Sequence, residues 1–131
     1  MNVINTNPLE FLMTSVSVLY TNNTCSTRFF SITDKFIDLN TKEDISPQLS
    51  HYAVVTTDLK FDDTIENIIN QIIKSHNIGS YPSVISDKIK SGEINATHSS
   101  ISSGDVVKID GCYYLIKNFG YELLPLEFSE N

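Results

Sequence analysis

The 131 residues carry sixteen acids against nine bases, a net charge of −7, and 40% of them are apolar. That length and apolar content suit one domain, residues 1–131, with one core, and no run of about 18 apolar residues is present to span a membrane. An acidic balance repels nucleic-acid phosphates, whose binding depends on clustered Lys and Arg, so direct duplex DNA binding is not expected.

The N-terminal stretch "MNVINTNPLEFLMTSVSVLY" lacks a basic region and carries Glu10 within its apolar part, which argues against a signal peptide. Cys25 and Cys112 are far apart and show no metal spacing. A reduced location, the host cell cytoplasm, is the expectation, and the "NNT" and "NAT" sequons then carry no meaning.

"FLMTSVSVLY", 11–20, is rich in β-branched and aromatic residues and predicts a strand. "NNT" at 22–24 reads as a turn, with "STRFFSI" returning as the hairpin partner of that strand. "DKFIDLNTKEDISPQL" is polar and bears a proline, so it reads mostly as loop, with a short extended piece at Phe36–Leu39. "SHYAVVTTDLKF", 50–61, predicts a second long strand in which Ala53 and Val55 face away from Val54 and Thr56.

The strongest local signal is "DDTIENIINQIIKSHNIG". Asp63 three residues before Glu66 has the spacing of a capping box. Ile65, Ile68, Ile69, Ile72 and Ile73 then recur on one helical face, with Asn67, Asn70, Gln71 and Lys74 on the other. A helix over Thr64–Ser75, closed by Asn77 or Gly79, follows. "YPSVISDKIKSGEI" reads as a second, short helix with Pro82 in its first turn and Gly92 beyond its end. "DVVKID", "CYYLIKNF" and "ELLPLEF" read as strands, the first two joined at Asp110-Gly111, a tight-hairpin signal. Strands, helices and strands again give an α+β fold: an antiparallel sheet with one main amphipathic helix and a second short one.

In "THSSISSGDVVKID", 97–110, a histidine, serines and an aspartate are close neighbours. A catalytic triad is recognised by geometry, and no G-x-S-x-G elbow surrounds these serines, so no catalytic residue is assigned. Ser100, Ser102 and Asp105 are expected to bond backbone N–H groups and organise a turn, with Gly104 and Gly111 supplying backbone angles closed to other residues. No HxH, HExxH or CxxC spacing joins His51, His76 or His98 to acids or thiols, so neither a metal nor another cofactor is expected. Tyr113, Tyr114, Phe119 and Tyr121 lack accompanying Lys or Arg and read as sheet core and hairpin face instead of a base-stacking platform.

The segment 97–124 resembles the closing part of YodL-like domains and related small phage and plasmid proteins. Their pattern is H-S-x-S-x-[GS]-D-V-V, a turn, an apolar strand, then G-[FY]; Ser100, Ser102, Gly104, Asp105, Val106 and Val107 fall on it with His98 one residue farther upstream, and Gly120 and Tyr121 match its end. What the resemblance implies is a mobile-element context, often beside anti-restriction genes, with no chemistry attached.

The acids are unevenly placed: residues 34–66 hold eight against three lysines, and 118–131 hold three against no base. Such a face suits a basic surface on a host protein or ribonucleoprotein. The expected function is a non-enzymatic phage or plasmid module that inhibits a host defence nuclease or complex, of anti-CRISPR or anti-restriction type. Its candidate binding residues are His98, Asp58, Asp62, Asp63, Glu66, Tyr121 and Glu122. The alternatives are a small enzyme or regulator of nucleic-acid modification using His98, a serine and Asp105, and an accessory structural protein of a phage.

Overall fold

The computed structural model describes residues 14–22, 27–30, 32–77 and 81–130. Strand β1, Thr14–Thr21, is flanked on both sides, by β5 (Tyr52–Phe61) and by β6 (Val106–Ile109), each antiparallel to it. Strands β7 (Cys112–Ile116) and β8 (Tyr121–Leu123) complete a five-stranded antiparallel sheet ordered β5-β1-β6-β7-β8. A second sheet, β2-β3-β4, is built from Thr27–Phe30, Lys35–Asp38 and Asp44–Ile45. Between β5 and β6 run helices α1, Ile65–Asn77, and α2, Tyr81–Lys90. The fold is α+β.

The large sheet is covered on both faces, and side-chain alternation sorts its residues between the two. Val16, Val18 and Tyr20 of β1, with Val107, Ile109, Tyr114 and Ile116, pack against Ile68, Ile69 and Ile72 of α1 and Ile85 of α2. Leu19, Tyr52, Val106 and Leu115 point the other way, onto Phe36, Leu124 and Phe128, with Phe29 and Ile45 at the margin. Aromatic edges hold that second layer: Phe29 meets Phe36 at 5.0 Å, and Phe128 meets both Tyr52 at 5.6 Å and Tyr113 at 4.9 Å, spacings at which ring edges and faces attract.

This arrangement corrects the expected β1–β2 hairpin. β2 pairs with β3 in the second sheet, in the register Phe29 to Phe36, while both edges of β1 are taken by β5 and β6. A strand with Leu19 and Tyr20 both buried, on opposite faces, belongs in the middle of a covered sheet. The polar stretch 34–49 holds β3 and the two-residue β4, so the extended piece at Phe36 is found and the rest is less irregular than expected. In β5, Ala53 and Val55 pack on the helix side and Val54 is exposed, as the alternation predicts.

Helix α1 starts with a different cap from the expected one. The Thr64 hydroxyl accepts the Asn67 amide at 3.2 Å, and the first helical bond runs from the Ile68 amide to the Thr64 carbonyl at 2.9 Å. Asp63 lies one residue outside and accepts from the side-chain amides of Asn67 and Gln71. Those bonds, with that from the Thr64 amide, hold its carboxyl below its ordinary pKa. Helix α2 ends where Gly92 (φ +85°) lets the Glu93 amide reach the Lys88 carbonyl and the Gly92 amide that of Ile89, a Schellman closure. Asp110 and Gly111 both have positive φ and join β6 to β7 in a two-residue turn.

The third expected strand of this region is shorter than its apolar run. β7 stops at Ile116 and β8 at Leu123; after Pro125 the chain forms a 3-10 helix, Leu126–Glu130, because the pyrrolidine ring cannot donate to a ladder. Phe119 sits in the turn between β7 and β8, 90% exposed, and is not part of the sheet core. Residues 11–13 of the first strand, Asn23, Thr24, Cys25 and Gly79 lie outside the described residues.

Ile69 is enclosed by the helix–sheet core. Ile69→Ala is therefore expected to cost about 2–5 kcal/mol in urea unfolding. A loss under about 0.5 kcal/mol would place the isoleucine stripe on the surface, where substitutions have that small an effect.

Candidate functional site

The loop 91–105 carries the motif back from α2 to β6. It is pinned by Ile94, Ala96 and Ile101, all buried in the helix-side core, so that the polar residues between them are held against the end of β1. The Thr97 amide donates to the Thr21 carbonyl at 2.9 Å, and the Ile116 amide to the Asp105 carbonyl at 2.8 Å. Loop, β1 and β7 thus converge on one residue.

That residue is Asp105. Its carboxylate is wholly buried and accepts the Thr21 amide on Oδ1 at 3.1 Å and, on Oδ2, the Ser102 amide at 2.8 Å and His98 Nε2 at 2.6 Å. Burial pushes the Asp105 pKa up, and the His98 hydrogen bond and charge, then the two amides, pull it partly back. His98 is fixed on three sides. Its ring stacks on Tyr20 at 5.0 Å and 10°, Nε2 faces Asp105, and Nδ1 meets the Thr97 hydroxyl. Tyr20 in turn bonds His76 Nδ1 at 2.9 Å. Burial lowers the His76 pKa to about 4, so at neutral pH its ring is uncharged.

The motif glycine has a separate duty. Gly104 adopts φ +97°, and a Cβ there would sit 2.6 Å from Cγ of Phe29. Its carbonyl accepts the Tyr52 hydroxyl at 2.6 Å. Burial, and then the charge of Asp105, hold the Tyr52 pKa well above its ordinary value, so it remains a donor. Gly104 is therefore the point where the second sheet is seated on the first.

Chemically, the arrangement is not a Ser-His-Asp triad. In a triad the carboxylate and the hydroxyl occupy opposite ring nitrogens. Here Ser102 Oγ lies 3.5 Å from Nε2, the nitrogen that Asp105 already holds. The acceptor-only carboxylate assigns the proton of a neutral ring to Nε2, leaving Nδ1 to accept from Thr97, whose Oγ1 also meets Thr21 Oγ1 at 2.8 Å. Beside this chain opens a cavity of about 370 Å³ between the end of β1, strand β2 and residues 97–103.

No family model, no curated protein and no solved structure matches this chain.

The sequence-derived candidates separate in space. Asp105 accepts backbone N–H groups as expected, but Ser102 joins the turn through its own backbone amide, its hydroxyl lying 3.4 Å from Asp105 Oδ2 and meeting no backbone N–H, and Ser100 makes no side-chain hydrogen bond among the described residues. Asp62, Asp63 and Glu66 stand exposed at the start of α1, and Asp63 shares a cavity of about 220 Å³ with Ile65, Asp110 and Tyr114. Tyr121 adjoins this corner through Tyr114, 5.8 Å away ring to ring. Glu122, its neighbour on β8, points to the opposite face and pairs with Lys117 at 3.3 Å. The side chain of Asp58 lies outside the described residues. His98 belongs to the other cavity, beside Thr21, Thr97 and Ser102. Among the described residues no group of three His, Cys, Asp or Glu is placed to hold a metal, and no helix is long and apolar enough to cross a membrane. Thr21, Tyr20, Thr97 and Phe29 were not singled out by sequence; only the threonine directly before His98 carried any local hint.

Gly104→Ala is expected to destabilise by roughly 2–5 kcal/mol, since it combines a strained φ with displacement of the Phe29 ring. Parent-like unfolding of this variant would show that Phe29 does not pack on Gly104.

Proposed function

We propose that this chain is a non-enzymatic, mobile-element-borne protein-binding module that occludes a basic surface on a host defence nuclease or ribonucleoprotein, in the manner of an anti-restriction or anti-CRISPR inhibitor. The observation that carries this reading is the corner at the start of α1. Asp62, Asp63, Glu66 and Asp110 are exposed there, and none pairs with a cation among the described residues. Acids left without an internal cation raise the local field and can be matched by Lys or Arg from outside, which speeds encounter and fixes orientation. Ile65, Tyr114 and Tyr121 adjoin them, giving the apolar and aromatic contact area on which interface affinity depends. The resemblance of residues 98–121 to YodL-like proteins supports the mobile-element context. The same field keeps the chain off duplex DNA.

A second reading, a small enzyme or a regulator of nucleic-acid modification, draws on one observation: Asp105 orients His98 so that its other nitrogen meets the Thr97 hydroxyl.

The first reading is tested by co-purification from host cells with the parent and with Asp62→Lys/Glu66→Lys, followed by assay of the co-eluting nuclease. The parent is expected to retain and inhibit a nuclease or ribonucleoprotein. The double variant, folded as judged by its melting temperature, is expected to bind it at least about tenfold more weakly, or 1.4 kcal/mol. Equal binding by both would remove the acidic corner from the interface.

A further inference from the structure

The five-stranded sheet has an open edge at β8. That strand is last in the order β5-β1-β6-β7-β8 and pairs with β7 alone among the described residues. The Leu124 amide donates to the Tyr113 carbonyl at 2.8 Å, and the Lys117 amide to the Gly120 carbonyl at 3.1 Å. Residues 120, 122 and 124 thus turn their backbone groups inward to β7, in the alternation of an antiparallel pair. The N–H and C=O groups of Tyr121 and Leu123 point out of the sheet edge, and among the described residues they have no partner. Two donors and two acceptors at this spacing are one side of a ladder.

The two faces beside this edge differ in chemistry. On the helix side Tyr121 and Leu123 are exposed, Leu123 by 58%, and Leu126 beyond them by 82%. Leu123 and Leu126 share a cavity of about 290 Å³ with no charged residue in its described lining. On the opposite face Glu122 stands with Asp34 and Asp44 around a cavity of about 330 Å³, where Lys35 is the one base in the described lining. Lys117 reaches Oε1 of Glu122, at 3.3 Å, and Oε2 has no cation among the described residues.

We infer that β8 is a docking edge for an extended segment of a partner protein that reads apolar, Lys or Arg, apolar, and that adds to the sheet as a further antiparallel strand. One apolar residue of that segment exchanges both backbone bonds with Tyr121 and the other with Leu123, their side chains lying on the apolar face. The basic residue between them falls directly opposite Glu122, in a non-hydrogen-bonded pair, where facing side chains are closest. A second copy of the chain fits the edge poorly. The two-fold that pairs each Tyr121 with the other copy's Leu123 sets the two Glu122 carboxylates opposite one another, and like charges there destabilise a ladder. The inference rests on the reading of the chain as a protein-binding module and adds how the partner is held. Tyr121 joins this edge to the acidic corner through Tyr114. A synthetic peptide probes the edge without any nuclease, so its failure and a failed co-purification are separate results.

The test is an amide-shift titration of the isotope-labelled protein with a cyclic hairpin peptide. One strand of the hairpin reads Val-Arg-Val with the valine N–H and C=O groups turned outward, a pre-organised form that lowers the ordering cost of binding. Two controls run in parallel: a Val-Glu-Val hairpin, and the Val-Arg-Val hairpin N-methylated at both valines. The Val-Arg-Val hairpin is expected to shift the Tyr121, Glu122 and Leu123 amides with half-saturation at or below about 1 mM. The Val-Glu-Val hairpin is expected to bind at least about tenfold more weakly, and the methylated one not at all. Glu122→Lys is expected to reverse the preference between the Arg and Glu hairpins. Leu123→Pro removes one outward N–H and spares the inward bonds of Glu122 and Leu124, so it is expected to melt close to the parent and to bind at least about fivefold more weakly. Glu122→Lys, an exposed change, keeps the test decisive if the proline variant does not fold. Absence of shifts at about 5 mM Val-Arg-Val hairpin, equal binding of the methylated form, or an unchanged preference in Glu122→Lys would each overturn the proposal. A parent that sediments as a dimer at the titration concentration, with Leu123→Pro a monomer, would give the edge to a second copy and overturn it as well.

Discussion

One buried carboxylate organises the motif end of this molecule. Asp105 is taken out of water entirely, a change that is costly for a charge unless hydrogen bonds replace the lost solvent. Here they come from three different places in the chain: the last residue of β1, the turn that leads into β6, and the His98 ring. Removing any one donor leaves a charge partly unsatisfied in a low-dielectric setting, so the three segments are coupled to one another through it. The raised pKa of Asp105 records the same balance, with burial outweighing the bonds that oppose it.

From this point order extends in two directions. On the helix side, Tyr20 bridges the stacked His98 ring and the neutral His76 near the end of α1, so the site is continuous with the isoleucine core. On the other side, the residue before Asp105 receives the Phe29 ring against its bare Cα and the Tyr52 hydroxyl on its carbonyl. The small sheet is seated by shape at Gly104 and by aromatic edges elsewhere. A cavity is left where β2 passes the 97–103 loop, and its walls are the edges of these same contacts.

Much of this was readable in the residues. The helix of isoleucines, the Asp110-Gly111 turn and the turn-building use of Asp105 follow from local pattern, because each is decided within a few residues. The partner of β2 was not readable, since pairing is set by contacts far apart in sequence. Yet Leu19 beside Tyr20 in β1, both apolar, hinted at a strand covered on both faces and hence without a free edge for β2. The Thr64 cap was obscured by Asp63, a better-known cap residue one position earlier with a Glu at the right spacing. Thr21 and Tyr20 reach the site from 84 and 56 residues away from their partners Asp105 and His76, and nothing in their neighbourhood announces it.

The central claim is that Asp105 fastens the end of β1 to the turn before β6, and amide hydrogen exchange reads this directly. In the parent, the Thr21 and Ser102 amides should exchange as slowly as those of the β6–β7 ladder, because their acceptor is buried. Asn at position 105 offers a single acceptor oxygen and turns a donor toward the remaining N–H groups, so Asp105→Asn should speed exchange at Ser102 or Thr21 at least about tenfold while the ladder stays protected. Unprotected exchange at both amides in the parent, or unchanged protection in Asp105→Asn, would contradict the account.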